Sequence, residues 1–426
     1  MSPKESRILA VTAVLAMAFG LSACVPVAAP NDPAPTTTTT TTPINGVVTT
    51  IPVVGGDPFG VAITPDGTKA YVTNFLTSTV SVIDTATNAV VGSPITVGNR
   101  PRGVAITPNG AFAGKAYVTN SNSDTVSVID TATNAVVGLP ITVGDFPDGV
   151  AITPDGSKAY VTNYADGTVS VINTDTNLVV GSPITVGNFP NGVAITPDGT
   201  KAYVTNESSN NVSVINTANN TVSATITVGD FPGGVAITPD GARAYVANEG
   251  SNNVSVIDTA TNAVTTISVG SGSEVVAITP DGTKAYVTLS LGQVKVINTA
   301  NGTVSATIPV VGGDPFGVAI TPDGTKAYVT LSLGQVKVIN TATNAVSAPI
   351  TVGTQPLGVA ITPDGTKVCV TNFQDDTVSV ITTATGAVSA TITVGGNPHG
   401  VAITPDGTKA YVANSNSTNV SVIRIA

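Results

Sequence analysis

One segment dominates the sequence: Gly60-Val-Ala-Ile-Thr-Pro-Asp-Gly-Thr-Lys-Ala-Tyr-Val-Thr-Asn74 returns eight more times in recognisable form. The valine of its Val-Ala-Ile-Thr-Pro portion recurs at positions 61, 104, 150, 193, 235, 276, 318, 359 and 401, so the copies lie 41 to 46 residues apart. A period of this length, made of several short β-segments, is typical of a propeller blade. The repetition therefore predicts one array instead of several independent domains.

Each copy predicts four antiparallel strands. In the first copy these are residues 60–64, 70–73, 80–83 and 89–97, with Pro65-Asp66-Gly67 forming the first turn. Proline and glycine suit such a turn because proline presets φ and glycine accepts a left-handed backbone. No segment between strands is long enough for a crossover helix. We predict an all-β fold, a single β-propeller of nine four-stranded antiparallel blades.

The two ends of the array predict how the ring closes. The last copy stops after a third strand at 419–423, whereas residues 47–54 before the first copy resemble the fourth strand at 263–269. We expect residues 47–54 to complete the C-terminal blade. Nine blades exceeds the usual four to eight. Two smaller rings are the alternative, although residues 60–423 contain no linker or second closing strand.

The N-terminal residues predict export and anchoring. Lys4 and Arg7 precede an apolar run at 8–21, which has the length of a signal peptide core and is short for a membrane span. The run ends in Leu21-Ser22-Ala23-Cys24, which resembles the bacterial lipoprotein signal. The resemblance implies that residues 1–23 are removed and that Cys24 carries lipid, which places the chain outside the cytoplasm on the bacterial cell membrane, at the cell surface or in the periplasm. An ordinary signal peptide with a nearby free cysteine is the alternative.

Residues 24–45 form an Ala/Pro/Thr-rich linker that includes seven consecutive threonines. Such a composition buries little surface and predicts a semi-extended spacer. The propeller domain is then 46–426. Its Tyr71-Val-Thr-Asn74 segment, repeated at 117, 160 and 203, resembles the signature of YVTN-type β-propeller repeat proteins. That resemblance implies an extracytoplasmic propeller and no single activity, because relatives of this fold include binding proteins, surface-layer components and lactonase-like or dehydrogenase-like enzymes.

The copies differ mainly in the loops that join the fourth strand to the next first strand, and the second strand to the third. Antiparallel pairing places both kinds of loop on one face, and loops on a rigid scaffold are where function usually lies. Unselected drift of these loops is the equally weighted alternative. The candidate binding face is Asp57, Phe59, Arg100, Arg102, Asp148, Asn191, Glu274, Phe316, Leu357 and His399.

Within this set, Arg100 and Arg102 have two interpretations. They could pair with an anionic ligand group, but salt bridges to Asp57, Asp145 or Asp148 are the favoured interpretation.

Catalytic and metal-binding motifs are scarce. His399 is the only histidine, which excludes a multi-histidine metal site, and we expect it to be a solvent-exposed loop residue. Cys369 replaces a strand tyrosine and is predicted to be a small buried apolar side chain. We predict no catalytic residues, no metal and no cofactor. The net charge of −10 disfavours nucleic acid as a partner.

Residues 276–300 and 318–342 are identical, which indicates that the ring grew by duplication. A broad binding surface tolerates an inserted blade better than an active site does. The sequence thus favours a non-enzymatic envelope protein that binds or scaffolds a protein or glycan partner. The alternative is a lactonase-like hydrolase with Arg100, Arg102, Glu274 or His399 at the channel mouth.

Overall fold

The computed structural model describes residues 46–52, 57–270, 273–417 and 419–425. Nine antiparallel sheets follow one another along the chain, and the first strand of each sheet contacts the first strands of its two neighbours, including the last with the first. The chain is therefore a single nine-bladed β-propeller. This confirms the predicted fold and blade number, and one closed ring replaces the alternative of two. Within the described ranges, no helix has the length and hydropathy needed to cross a membrane.

The strands of a blade are named A to D from the channel outwards. Blades 1 to 9 are numbered in the order of their A strands. The A strands are Pro58–Ile63, Pro101–Ile106, Pro147–Ile152, Pro190–Ile195, Pro232–Ile237, Ser273–Ile278, Pro315–Ile320, Pro356–Ile361 and Pro398–Ile403. The B strands are Lys69–Asn74, Lys115–Asn120, Lys158–Asn163, Lys201–Asn206, Arg243–Asn248, Lys284–Leu289, Lys326–Leu331, Lys367–Asn372 and Lys409–Asn414. The C strands are Thr79–Asp84, Thr125–Asp130, Thr168–Asn173, Asn211–Asn216, Asn253–Asp258, Gln293–Asn298, Gln335–Asn340, Thr377–Thr382 and Asn419–Arg424.

The D strands are of two kinds. Continuous D strands are Thr221–Thr227, Val264–Ser268, Thr303–Pro309, Ala387–Thr393 and the N-terminal Gly46–Pro52. Interrupted or shortened ones are Ala89–Val90 with Ile95–Thr96, Ala135–Val136 with Ile141–Thr142, Leu178–Val179 with Ile184–Thr185, and Ile350–Thr351 alone. The predicted unbroken strand at 89–97 is therefore wrong. A proline directly precedes the last segment of each of these D strands and has no N–H to donate to the neighbouring C strand. These prolines are Pro94, Pro140, Pro183 and Pro349.

The ring is closed by the N-terminal strand. Gly46–Pro52 pairs antiparallel with Asn419–Arg424, from Gly46 opposite Arg424 to Pro52 opposite Asn419. Ile51 is 3% exposed and lies in an apolar cluster shared by blades 9 and 1. The predicted closure is confirmed over residues 46–52. Residues 53 and 54, the export segment 1–23 and the linker 24–45 with Cys24 lie outside the described residues.

The repeated residues hold each blade to the next. Tyr71 is fully buried between blades 1 and 2, and its hydroxyl donates to Asn134 Oδ1 in the next C–D turn at 2.8 Å. Lys69 Nζ donates to the Thr131 carbonyl of the same turn. The same lysine contact closes the ring, from Lys409 to a blade 1 turn. These contacts explain why the Lys-Ala-Tyr pattern recurs.

Antiparallel pairing gives the ring two different faces. The D–A and B–C loops form what we call the loop face, and the A–B and C–D turns form the turn face. Lys409 and Gly46 both pair with Arg424, so residue 46 lies at the turn-face end of blade 9. The chain therefore enters the ring from the turn face, at the outer edge.

Candidate functional site

The second residue of each A strand forms a ring around the channel at the loop face. We call these residues the mouth ring: Phe59, Arg102, Asp148, Asn191, Gly233, Glu274, Phe316, Leu357 and His399. Eight of the ten predicted face residues belong to it, and Asp57 and Arg100 lie one residue before their A strands. The ring residues are strand residues, which corrects their assignment to loops. The Glu274 side chain lies outside the described part of the chain.

A threonine of the preceding blade positions most of the mouth ring. The third residue of the Tyr-Val-Thr-Asn segment accepts a hydrogen bond from the N–H of the glycine that follows its own blade's ring residue, and donates to the carbonyl of the next blade's ring residue. Thr119 does so with Gly103 and with Asp148, each at 2.9 Å. Equivalent bonds reach the carbonyls of Arg102, Asn191, Gly233, Phe316, Leu357 and His399. The repeated motif therefore holds the variable residues in place.

Arg102 occupies an aromatic enclosure made by three blades. Its guanidinium carbon lies 5.5 Å from the Phe59 ring centroid, 5.7 Å from that of Phe75 and 4.9 Å from that of Phe146. These separations are in the range of cation–π attraction. Its NH1 atom also pairs with Asp148 Oδ1 at 3.2 Å. The salt bridge favoured from the sequence is confirmed for Arg102, whereas Arg100 is exposed beside Phe75 at 5.5 Å.

The aromatic contacts continue beyond this enclosure. The Tyr164 ring lies 6.1 Å from that of Phe146 and is stacked on that of Phe189 at 4.9 Å. The Tyr164 hydroxyl donates to Glu207 Oε2 at 3.3 Å. Burial, followed by the nearby Glu207 charge, raises the pKa of Tyr164 to about 12, so its hydroxyl stays protonated near neutral pH.

Two groups of aromatic rings, joined by the Arg102 guanidinium, therefore cross blades 1 to 4. We call Phe59, Phe75, Phe146, Tyr164 and Phe189 the aromatic track. Only Phe59 was predicted as a site residue. The missed signal was present in the sequence, because Tyr164 is the one tyrosine outside the B-strand signature and seven of the nine phenylalanines fall on the loop face.

Negative charge is also concentrated on the loop face. Its described residues include only two basic side chains, Arg100 and Arg102, and eleven carboxylates: Asp57, Asp124, Asp145, Asp148, Asp166, Glu207, Asp230, Glu249, Asp314, Asp375 and Asp376. Two positive and eleven negative side chains give the described part of this face a net charge of −9, close to the net charge of −10 of the whole chain. Burial raises the pKa of Asp57. Among described residues, no three His, Cys, Asp or Glu side chains are grouped to hold a metal ion.

The turn face uses its polar groups internally. A depression of about 510 Å³ lies there between blades 3 and 4. Its lining Lys158 donates to the Thr217 carbonyl, and Asp155 accepts from Ser157. A second depression of about 280 Å³ has an equivalent lining between blades 1 and 2. Both depressions are lined mainly by residues of the repeated A–B and C–D turns.

His399 and Cys369 are both shielded from solvent, to different degrees. His399 is half-buried in strand A of blade 9, with its ring edge-on to Phe373 at 6.2 Å, which corrects the expected exposed loop position. Desolvation lowers the pKa of His399 to about 4. Cys369 is fully buried, as predicted, and burial raises its pKa to about 12. Arg102, Glu274 and His399 belong to blades 2, 6 and 9, which does not favour a hydrolase site built from them.

Comparison with known proteins places the chain among propellers. The profile of a family described as Choice-of-anchor I domain matches residues 208–333. Hydrazine synthase of Kuenenia stuttgartiensis is 28% identical, with 65% of this chain and 95% of that one covered and a TM-score of 0.49. The dihydro-heme d1 dehydrogenase NirN, solved in complex with DHE, is 15% identical, with 80% and 74% covered and a TM-score of 0.60. The likeness to NirN shows the fold alone, and no curated protein matches the chain significantly.

Proposed function

We propose that this chain is a non-enzymatic binding or scaffolding propeller of the bacterial cell envelope, which presents its loop face to a protein or glycan partner. The observation that carries the proposal is a difference between the two faces. The turn face bonds one blade to the next, whereas the loop face has the aromatic and acidic side chains that vary between blades. On the turn face, seven B-strand lysines donate to backbone carbonyls of the next blade. Four of the signature tyrosines donate to an asparagine of the next C–D turn. The loop face contains the aromatic track, the mouth ring and nearly all the net negative charge.

The exposed apolar side chains support the same face. Six of the nine large apolar residues that are exposed among the described residues lie in its loops: Leu76, Phe189, Phe231, Leu291, Val311 and Leu333. Single exposed apolar residues are ordinary, but the concentration of six of nine on one face of the ring supports a contact surface there. The match to a domain described as Choice-of-anchor supports a place at the cell surface.

The anchoring part of the proposal rests on the sequence and on where the chain enters the ring. We propose that Cys24 carries the lipid and that residues 24–45 act as the tether, in keeping with the resemblance of residues 21–24 to the bacterial lipoprotein signal. Because residue 46 lies at the turn-face end of blade 9, the proposed tether joins the ring at the face opposite the loops and leaves the loop face uncovered. The face that varies is then also the accessible one.

A capture experiment tests the proposal. The chain is used as bait in an extract of the envelope that contains it, beside one variant with the B–C loops 164–167 and 207–210 exchanged for that of blade 6. A matched control has two C–D turns exchanged on the turn face. The proposal expects the captured material to be lost with the loop variant and retained with the turn variant. Equal capture by all three would contradict it.

A further inference from the structure

Blades 4 and 5 each have a phenylalanine and a glutamate at equivalent positions of the loop face. Phe189 and Phe231 occupy the same position of consecutive D–A loops and are 41% and 54% exposed. The N–H of Glu207 donates to the Phe189 carbonyl at 3.0 Å, and that of Glu249 to the Phe231 carbonyl at 3.1 Å. Each exposed ring therefore has a carboxylate on the adjoining loop residue.

The backbone at these two positions favours residues other than phenylalanine. Phe189 has φ of 54° and Phe231 has φ of 51°, in the left-handed region that bulky residues rarely adopt. Blade 9 has Asn397 at the equivalent position with φ of 51°. Asparagine is the less strained choice there, so the rings are present despite the local backbone and not because of it.

An arginine of the chain itself already lies between aromatic rings and a carboxylate. In blades 1 to 3 the guanidinium of Arg102 lies against three aromatic rings and pairs with Asp148 at 3.2 Å. An aromatic face with a carboxylate beside it suits a guanidinium, which stacks through its plane and pairs through its N–H groups. Blades 4 and 5 also have a phenylalanine and a glutamate on hydrogen-bonded loop residues, with both phenylalanines exposed. The Glu207 carboxylate in addition accepts from the Tyr164 hydroxyl.

We propose that the Phe189–Glu207 and Phe231–Glu249 pairs bind two arginine side chains of a basic, arginine-rich segment in a protein partner. This deepens the proposed function and rests on it. Charge complementarity selects the partner, because the loop face has a charge difference of −9 and would attract a cationic segment over a distance of about 10 Å at moderate salt. A neutral glycan could stack on the rings and donate its hydroxyls to the carboxylates, but the net negative charge of the face would not attract it over a distance.

Three defined probes separate these possibilities. The full-length chain in detergent is titrated with a synthetic arginine–serine peptide, with a lysine–serine peptide of the same length, and with a neutral β-linked glucan oligosaccharide. The test variants are Phe189→Asn and Phe231→Asn, which keep a residue suited to the left-handed backbone, and Glu207→Gln and Glu249→Gln. The matched control is Asp175→Asn, which removes an exposed carboxylate from the turn face.

The arginine peptide is expected to bind more tightly than the lysine peptide, and more weakly as salt rises. Each ring substitution should weaken its binding about threefold and the double substitution about tenfold, in line with exposed cation–π contacts. Asp175→Asn should leave it unchanged. Equal binding to the parent and the double ring variant would overturn the inference. Glucan binding that needs the rings, without arginine binding, would overturn it too but leave the proposed function standing. If no probe binds while the capture experiment succeeds, the inference alone fails.

Discussion

The Thr73 hydroxyl of blade 1 donates a 3.0 Å hydrogen bond to the Arg102 carbonyl of blade 2. It accepts a 2.8 Å hydrogen bond from the Gly60 N–H at the same time. A repeated residue of one blade thereby fixes the backbone of a variable residue of the next. Hydrogen bonds therefore join the constant part of the repeat to the backbone of the candidate site.

Replacing Thr73 by alanine should lower the free energy of unfolding by about 1–3 kcal/mol, because a half-buried N–H and a half-buried carbonyl lose their partner. Blade 5 offers the reverse substitution, since Ala247 stands where seven blades have the threonine. Ala247→Thr should stabilise the ring by about 0.5–1.5 kcal/mol. Urea unfolding of both variants tests the pair. The two substitutions are expected to change the free energy of unfolding in opposite directions. An unchanged value in both variants would show that the threonine hydrogen bonds do not stabilise the ring.

The closing strand should matter more than an internal D strand. Ile51 and Ile267 are equivalent, at 3% and 6% exposure, so either substitution to alanine should cost about 2–5 kcal/mol of packing. Only Ile51→Ala also loosens the contact that joins the two ends of the array. It should therefore speed proteolytic cleavage near residue 46, whereas Ile267→Ala should not. Equal cleavage rates would show that closure does not depend on this strand.

His399 should make the fold sensitive to mild acid. Its folded pKa of about 4 lies below the usual 6.5, so the unfolded chain binds the proton more tightly. Stability is then lost as pH falls from 6.5 towards 4, at no more than about 1.4 kcal/mol per pH unit. The His399→Leu variant, which copies Leu357 of blade 8, should lack this loss. Parallel pH profiles of midpoint temperature for both proteins would contradict the assignment.

Cys369 should be unreactive in the folded chain. Burial keeps the thiol inaccessible, and its pKa of about 12 keeps it protonated at pH values where thiol reagents act. A chain that begins at residue 25 contains this cysteine alone, so every modification reports on it. Labelling should occur only after denaturation. Rapid labelling of the native chain would show that blade 8 opens.

The architecture was readable from the sequence because each blade repeats the same residues. The spacing of the Val-Ala-Ile-Thr-Pro segments defined nine blades, and the missing D strand after Asn419–Arg424 pointed to the N-terminal strand. The details at Pro94 were not predicted, because one missing N–H breaks a short outer strand that is otherwise well patterned.

The site was only partly readable, since its contacts join different blades. Arg102 and Phe59 are 43 positions apart, and nothing local shows that their side chains meet. His399 looked like a loop residue because it follows Asn397-Pro398, yet the strand begins at Pro398. Aligning the repeats by position, and asking which loop positions are aromatic in consecutive blades, would have found the aromatic track.

Site-specific photo-crosslinking in living cells tests the central claim most directly. A photoreactive phenylalanine analogue is placed at Phe231 on the loop face and, in a separate variant, at Leu139 on the outer edge of blade 2, both of which are exposed. Irradiation should give a discrete high-mass adduct from position 231 and none from position 139. Equal adducts from both positions, or an adduct from 139 alone, would contradict a function carried by the loop face.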